Sequence, residues 1–323
     1  MEDYYIFPLI KHNICFSDFF SISNLLVNFF NFLVGVLGNG LVIWITGLKM
    51  KKTVKTTWYL SLAVSDFIFC VAYPPFYIIF IVRKECIFGL FMCNFTIALM
   101  YITLYSSVFL LVIISVDHCL SVVFPVWSQT NRTIDKASIV VILTWVLSVA
   151  LSTRFNFTGR TQVFIVGFVV PFLIIIFCYF CVTFILRLRT RQMMSVSSKP
   201  FRVMIVLIAM FFICWLPLHV FILLDQNDAF KNAFNKTFKP EPYITSGLSV
   251  GVILATVHSF LRPVLYVCMG NNVPPTLKRS IIDRIENVLG EEDSHTTSHE
   301  TSLKLFEDDK ASGAVEHSVI SNA

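Results

Sequence analysis

The stretch from Cys93 to Cys119, CNFTIALMYITLYSSVFLLVIISVDHC, is apolar for most of its length and closes on an Asp-His-Cys triplet. A helix needs about 20 apolar residues, each rising about 1.5 Å, to cross a bilayer core. This run is longer than that, so the sequence predicts a membrane helix that tilts or extends past the lipid. One face carries the small and polar residues Thr103, Ser106 and Ser107, and small residues let neighbouring helices come close. The expectation is the central helix of a membrane bundle, with Cys93 and Asp117 at opposite ends.

Composition agrees. The chain is 56% hydrophobic and 14% charged, against roughly 25% charged residues in an average soluble domain. The charges sit in short clusters between long apolar runs. No Lys/Arg tract interleaved with aromatics is present, so nucleic acid is not an expected partner. The cysteines sit mostly inside apolar runs. Cys70, Cys178, Cys181, Cys214 and Cys268 read as small buried hydrophobes. Only Cys15, Cys86 and Cys93 fall where an oxidising exterior could pair them. There is no catalytic constellation, cofactor motif or metal-ligand spacing.

Residues 1–23 are aromatic-rich and begin MEDYY, which lacks the basic start of a signal peptide. Seven apolar spans fill residues 24–270: about Asn24–Leu48, Thr57–Val82, the Cys93–Cys119 run, one from near Lys136 that includes Trp145, and about Gln162–Leu186, Phe201–Leu224 and Tyr243–Met269. Pro74-Pro75 should kink the second. Residues 271–323 form the tail. Thr276–Val288 predicts a short basic amphipathic helix with Leu277, Ile281, Ile285 and Val288 on one face. The Ser/Thr- and acid-rich remainder has the composition of disorder. Lys and Arg concentrate in alternate loops and at the start of the tail, which places the N-terminus outside and the tail inside. Seven spans likewise put the two ends on opposite sides. The fold class is therefore an all-α, seven-helix membrane bundle with a short amphipathic cytoplasmic helix.

Charge inside such a bundle is costly and marks function. Asp66 is the single carboxylate of the second span. On the seventh, His258, Arg262 and Tyr266 are spaced i, i+4, i+8 and share one face. Arg262 is a permanent cation, and the simplest way to bury it is to pair it with Asp66, with Asn39 and Ser107 taking the remaining hydrogen bonds. Asn156-Phe-Thr and Asn235-Lys-Thr are glycosylation sequons in loops on the outer side.

Gly38-Asn39, the LAVSD segment ending at Asp66, Asp117, Trp145, Pro171, CWLP at 214–217 and Pro263-Val-Leu-Tyr266 fall one per helix in the order of the rhodopsin-like G-protein-coupled receptors. GVLGNGLVIW at 35–44, FPVWSQTNRT at 124–133, KPFRV at 199–203, FFICWLP at 211–217 and PVLYVCMG at 263–270 narrow the match. Over nearly the whole chain the sequence resembles the formyl peptide receptors, as a divergent member of the branch found in chemosensory neurons. The resemblance implies an extracellular peptide or small-molecule ligand, a heterotrimeric G protein inside, an arrestin site in the Ser/Thr-rich tail, and surrounding membrane lipid.

Departures from the family pattern set further expectations. Where the family carries an acid in the third helix stands Tyr101, and its fifth-helix basic positions align with Gly159 and Val163, Arg160 being one position off. A pocket lined by Tyr101, Tyr105 and Trp215 would be more aromatic and less charged than the family's. His258 and Arg262 stand where the family has Asn beside a sodium-holding Asp66. His118 replaces the arginine that in this class contacts Tyr179 and the G protein, so Asp117, His118, Tyr179 and Tyr266 form the expected switch, with weakened coupling. The loop after the fourth span lacks the cysteine that usually bridges to Cys93. Cys93 is left with Cys86, with Cys15, or as a free thiol. The runner-up function is a decoy or degenerate receptor that binds without coupling. A transporter ranks third, since only Asp66, His258 and Arg262 could relay an ion.

Overall fold

The computed structural model describes residues 16–83, 89–153, 160–190, 199–227, 241–269, 281–286 and 288–289. Among them there is no strand. Seven helices among the described residues are long and apolar enough to cross a membrane: Ser21–Lys49, Val54–Arg83, Asn94–Val123, Ile134–Thr153, Thr161–Ile185, Val203–Asp225 and Pro242–Met269. Hydrocarbon offers the backbone no hydrogen bonds, so each span must satisfy its own amides along a helix. The helices run without a break through Pro74, Pro75, Pro217 and Pro263. The first span contains π-helical turns at Asn31–Gly35 and Ile45–Lys49, and the fifth one at Ile165–Val169.

The third span is the axis of the bundle. Of its most apolar stretch 67% is buried, against 17% for the fourth span, which lies at the rim. The third packs against the second, fourth and fifth spans, and the sixth and seventh pack closely on each other. Gly251 permits that last approach: a Cβ there would lie 2.6 Å from Leu218 Cα. Gly38 does the same between the first and seventh spans, where a Cβ would stand 2.7 Å from the Pro263 ring.

One face of the bundle is basic. It gathers Lys49 at the end of the first span, the Lys51-Lys52 turn, and the segment from Arg132 to Lys136. The short helix after the seventh span joins it through an ion pair from Lys49 Nζ to Glu286 Oε1 at 2.7 Å. Its buried side chains are Ile285, Val288 and Leu289, while Ile281 is 54% exposed and Ile282 packs on the core instead. Ile285 and Val288 are thus buried as expected and Ile281 is not; Leu277 lies outside the described residues. Cys70, Cys178 and Cys214 are buried, but Cys181 is only half-buried and Cys268 is exposed.

Candidate functional site

The second and seventh spans meet over a buried ion pair. Arg262 Nη1 donates to Asp66 Oδ2 at 2.8 Å, and the two side chains are 1% and 0% exposed. Arg262 Nη2 lies 2.7 Å from His258 Nε2, one turn earlier on the same helix. A guanidinium has only donors, so Nε2 accepts. That assigns His258 as a neutral imidazole carrying its proton on Nδ1. Arg262 thus spans an acceptor on its own helix and one on the second span.

Asn39 and Ser107 do not complete this pair as expected. Asn39 Nδ2 donates to the carbonyls of Gly35 and Ser259, each at 3.0 Å. The reason lies in the chain: Pro263 has no N–H to give to the carbonyl of residue 259, four positions earlier. Asn39 supplies the missing donor, and Gly38 lets the helices close enough for it to reach. Ser107 Oγ is buried without a partner, as are Arg262 Nε and His258 Nδ1. Its neighbour Ser106 pairs instead with Ser65 at 2.6 Å, linking the second and third spans.

An aromatic layer joins the ion pair to the opposite half of the bundle. Trp215 lies between two histidines, with ring centroids 6.3 Å from both His258 and His219. Phe211 packs edge-on to His258 at 5.4 Å. His219 is 2% exposed and is held among Phe164, Phe168 and Trp215. Its Nε2 and Trp215 Nε1 are both buried with no hydrogen-bond partner. Tyr101, Tyr105 and Trp215 are 2%, 3% and 1% exposed. All three are therefore buried in the core of the bundle. Sequence reasoning missed His219, although it follows Trp215 by one helical turn.

The basic face holds the second polar constellation. Asp117 accepts from Arg132 Nε at 2.8 Å and Nη2 at 2.6 Å, a bidentate grip. Trp58 Nε1 adds a third donor at 3.3 Å. The pair is partly buried. Arg132 reaches back because the chain turns through the short helix Pro125–Asn131, which Ser128 fastens to Ser121 on the third span at 3.2 Å. Neither Arg132 nor Trp58 was an expected site residue. Of the other switch residues, His118 is half-buried, and Tyr266 is buried edge-on to Tyr59 with centroids 6.0 Å apart. Tyr179 lies on the fifth span and is 41% exposed. Asn156, Asn235, Cys15 and Cys86 lie outside the described residues, as does the Ser/Thr cluster of the tail; for Cys93 only the helical backbone is described.

Comparison with known proteins bears on this arrangement. The family described as "7 transmembrane receptor (rhodopsin family)" matches residues 38–164 and 154–266. The chain is 34% identical over 316 residues to a pig (Sus scrofa) protein named Chemerin-like receptor 1, covering 84% of each chain. It is 30% identical over 351 residues to mouse (Mus musculus) Formyl peptide receptor-related sequence 1, covering 96% of this chain and 98% of that one. It is 34% identical over 316 residues to N-formyl peptide receptor 3 of Pongo pygmaeus, covering 86% and 89%.

Proposed function

The chain belongs to the rhodopsin family of seven-transmembrane receptors, and from that premise we propose that it is a chemoattractant-type receptor that passes peptide or small-ligand binding to a heterotrimeric G protein. As a member of that family it is a multi-pass membrane receptor and not an enzyme. In the proposed orientation the N-terminus is extracellular and the basic face is cytoplasmic, as the distribution of Lys and Arg suggests. The receptor domain is 24–270, with the Ser/Thr-rich tail available to arrestin.

The observation that carries this reading is the continuous line Trp215–His258–Arg262–Asp66. A ligand above Trp215 that turns the indole moves the ring packed on His258, and His258 shares Arg262 with Asp66. The sixth, seventh and second spans are then biased together. A ligand can shift this equilibrium only by binding one arrangement better than the other. At the basic face the shift must loosen the region of Asp117, His118 and Tyr266 for a G protein to engage.

Tyr101 in place of the family's acid, and the aromatic surroundings of Trp215, favour a ligand whose buried end is apolar. The test is nucleotide exchange by purified receptor in nanodiscs with a panel of heterotrimeric G proteins. Formylated peptides, their unformylated counterparts and chemerin-derived peptides are the ligands suggested by the names of its relatives. Stimulated exchange with any G protein supports the reading. Saturable binding with no exchange across the panel would make this a binding protein that does not signal.

A further inference from the structure

We propose that the basic end of the bundle carries a binding site for an anionic phospholipid, whose acyl chain lies in a cleft between the second, third and fourth spans and whose headgroup meets Lys136. The cleft has a volume of about 340 Å³, within the range of roughly 300–1,000 Å³ typical of small-ligand sites. Its walls are apolar: Val54 from the second span, Val112, Ile113 and Val116 from the third, and Val140 from the fourth. The fourth span carries the opening side. Its neighbours Ile139, Ile142, Leu143 and Val146 are 57–62% exposed, the pattern of a helix surface that faces hydrocarbon. The cleft continues that surface inward, so its occupant enters sideways from the bilayer.

Charge selects the lipid. The wall includes one acid, Asp117, and two cations, Arg132 and Lys136. Arg132 neutralises Asp117, which leaves Lys136 as the net charge of the wall; the adjacent Asp135 is not part of it. Lys136 Nζ donates to the Asn131 carbonyl at 3.1 Å and is exposed, so two of its N–H groups remain for a phosphate or carboxylate. Trp127, 52% exposed at the same rim, has the amphipathic ring suited to headgroup level. On the proposed orientation this is the cytoplasmic leaflet, the one rich in anionic lipid. The lipid chain would pack on Trp58, which itself donates to Asp117.

The site is tested with purified full-length receptor in nanodiscs of phosphatidylcholine doped with photoreactive phosphatidylserine. The expected cross-links fall on the segments around Val112–Val116 and Lys136–Val140. Lys136→Gln should lower that labelling about fivefold, as a juxtamembrane cation is worth about 1 kcal/mol. Val140→Trp should lower it by filling the cleft, and thermal melting of both variants checks that they fold. Labelling spread evenly round the bundle would overturn the proposal. So would equal labelling by a photoreactive phosphatidylcholine, loss of the signal to competing sterol, or indifference to both substitutions. Failure of the G-protein assay leaves these measurements untouched, because none depends on signalling.

Discussion

Arg132 holds both carboxylate oxygens of Asp117, from 15 residues further along the chain. Near its end the third span carries an acid whose neighbour is histidine, and the guanidinium comes instead from the segment that follows. The grip fixes the short helix Pro125–Asn131 against the end of the third span. If this pair is the resting lock, then Arg132→Gln should raise ligand-independent nucleotide exchange. Charge-assisted hydrogen bonds contribute about 1.5–3 kcal/mol, and partial exposure puts this pair at the low end. Asp117→Asn should behave alike, and the double variant should be no worse than either alone. Unchanged basal exchange at equal surface expression would remove the lock.

His118 offers a second test. A histidine is shorter than arginine and, unlike arginine, is not a permanent cation. His118→Arg should therefore increase stimulated exchange if reach and charge at this position limit coupling. With Arg132 already on Asp117, the new arginine is freer to leave the acid than it would be with Asp117 as its only partner. The gain should shrink in the Arg132→Gln background, where Asp117 would capture it. Exchange assays of the single and double variants, matched for expression, decide this.

His219 separates stability from function. Its Nε2 is buried among aromatic rings without a partner, and an unsatisfied buried polar group costs about 1–3 kcal/mol. His219→Phe should raise the melting temperature in detergent. If His219 is kept for a ligand, the same substitution should weaken agonist response while leaving basal exchange alone. A stabilised receptor with full agonist response would make His219 merely tolerated.

What could be read from the chain alone follows a physical division. Span number and rough position come from apolar length, which hydrocarbon enforces locally, so they were legible. Asp66 and Arg262 were legible because isolated charges in such spans are conspicuous. Asn39 was misassigned because its partner, the Ser259 carbonyl, is exposed by a proline on another helix. Arg132 was missed because a cation in a basic loop looks like any other until the chain turns back. Ile285 and Val288 were legible from helical spacing and are buried, whereas Ile281, one turn earlier, is exposed.

The last prediction concerns Asp66 and Arg262. The two meet at 2.8 Å with almost no exposure, and His258 occupies the second arm of the guanidinium. Removing one partner of a buried pair leaves an uncompensated charge, at a cost of about 3–5 kcal/mol. Asp66→Ala and Arg262→Ala should each damage thermal stability, Asp66→Ala the more if Arg262 is held by His258 alone. The double substitution should recover part of the loss, because no charge is then stranded. In the parent, the guanidinium already neutralises Asp66, so sodium should change neither melting temperature nor ligand binding. Arg262→Asn should free the carboxylate, and sodium should then stabilise this variant in a saturable manner. The measurement is a double-mutant cycle of melting temperatures in detergent, run in sodium and in a potassium control. Additive losses would show that the side chains do not interact energetically, and sodium stabilisation of the parent would show that Arg262 does not take the cation's place.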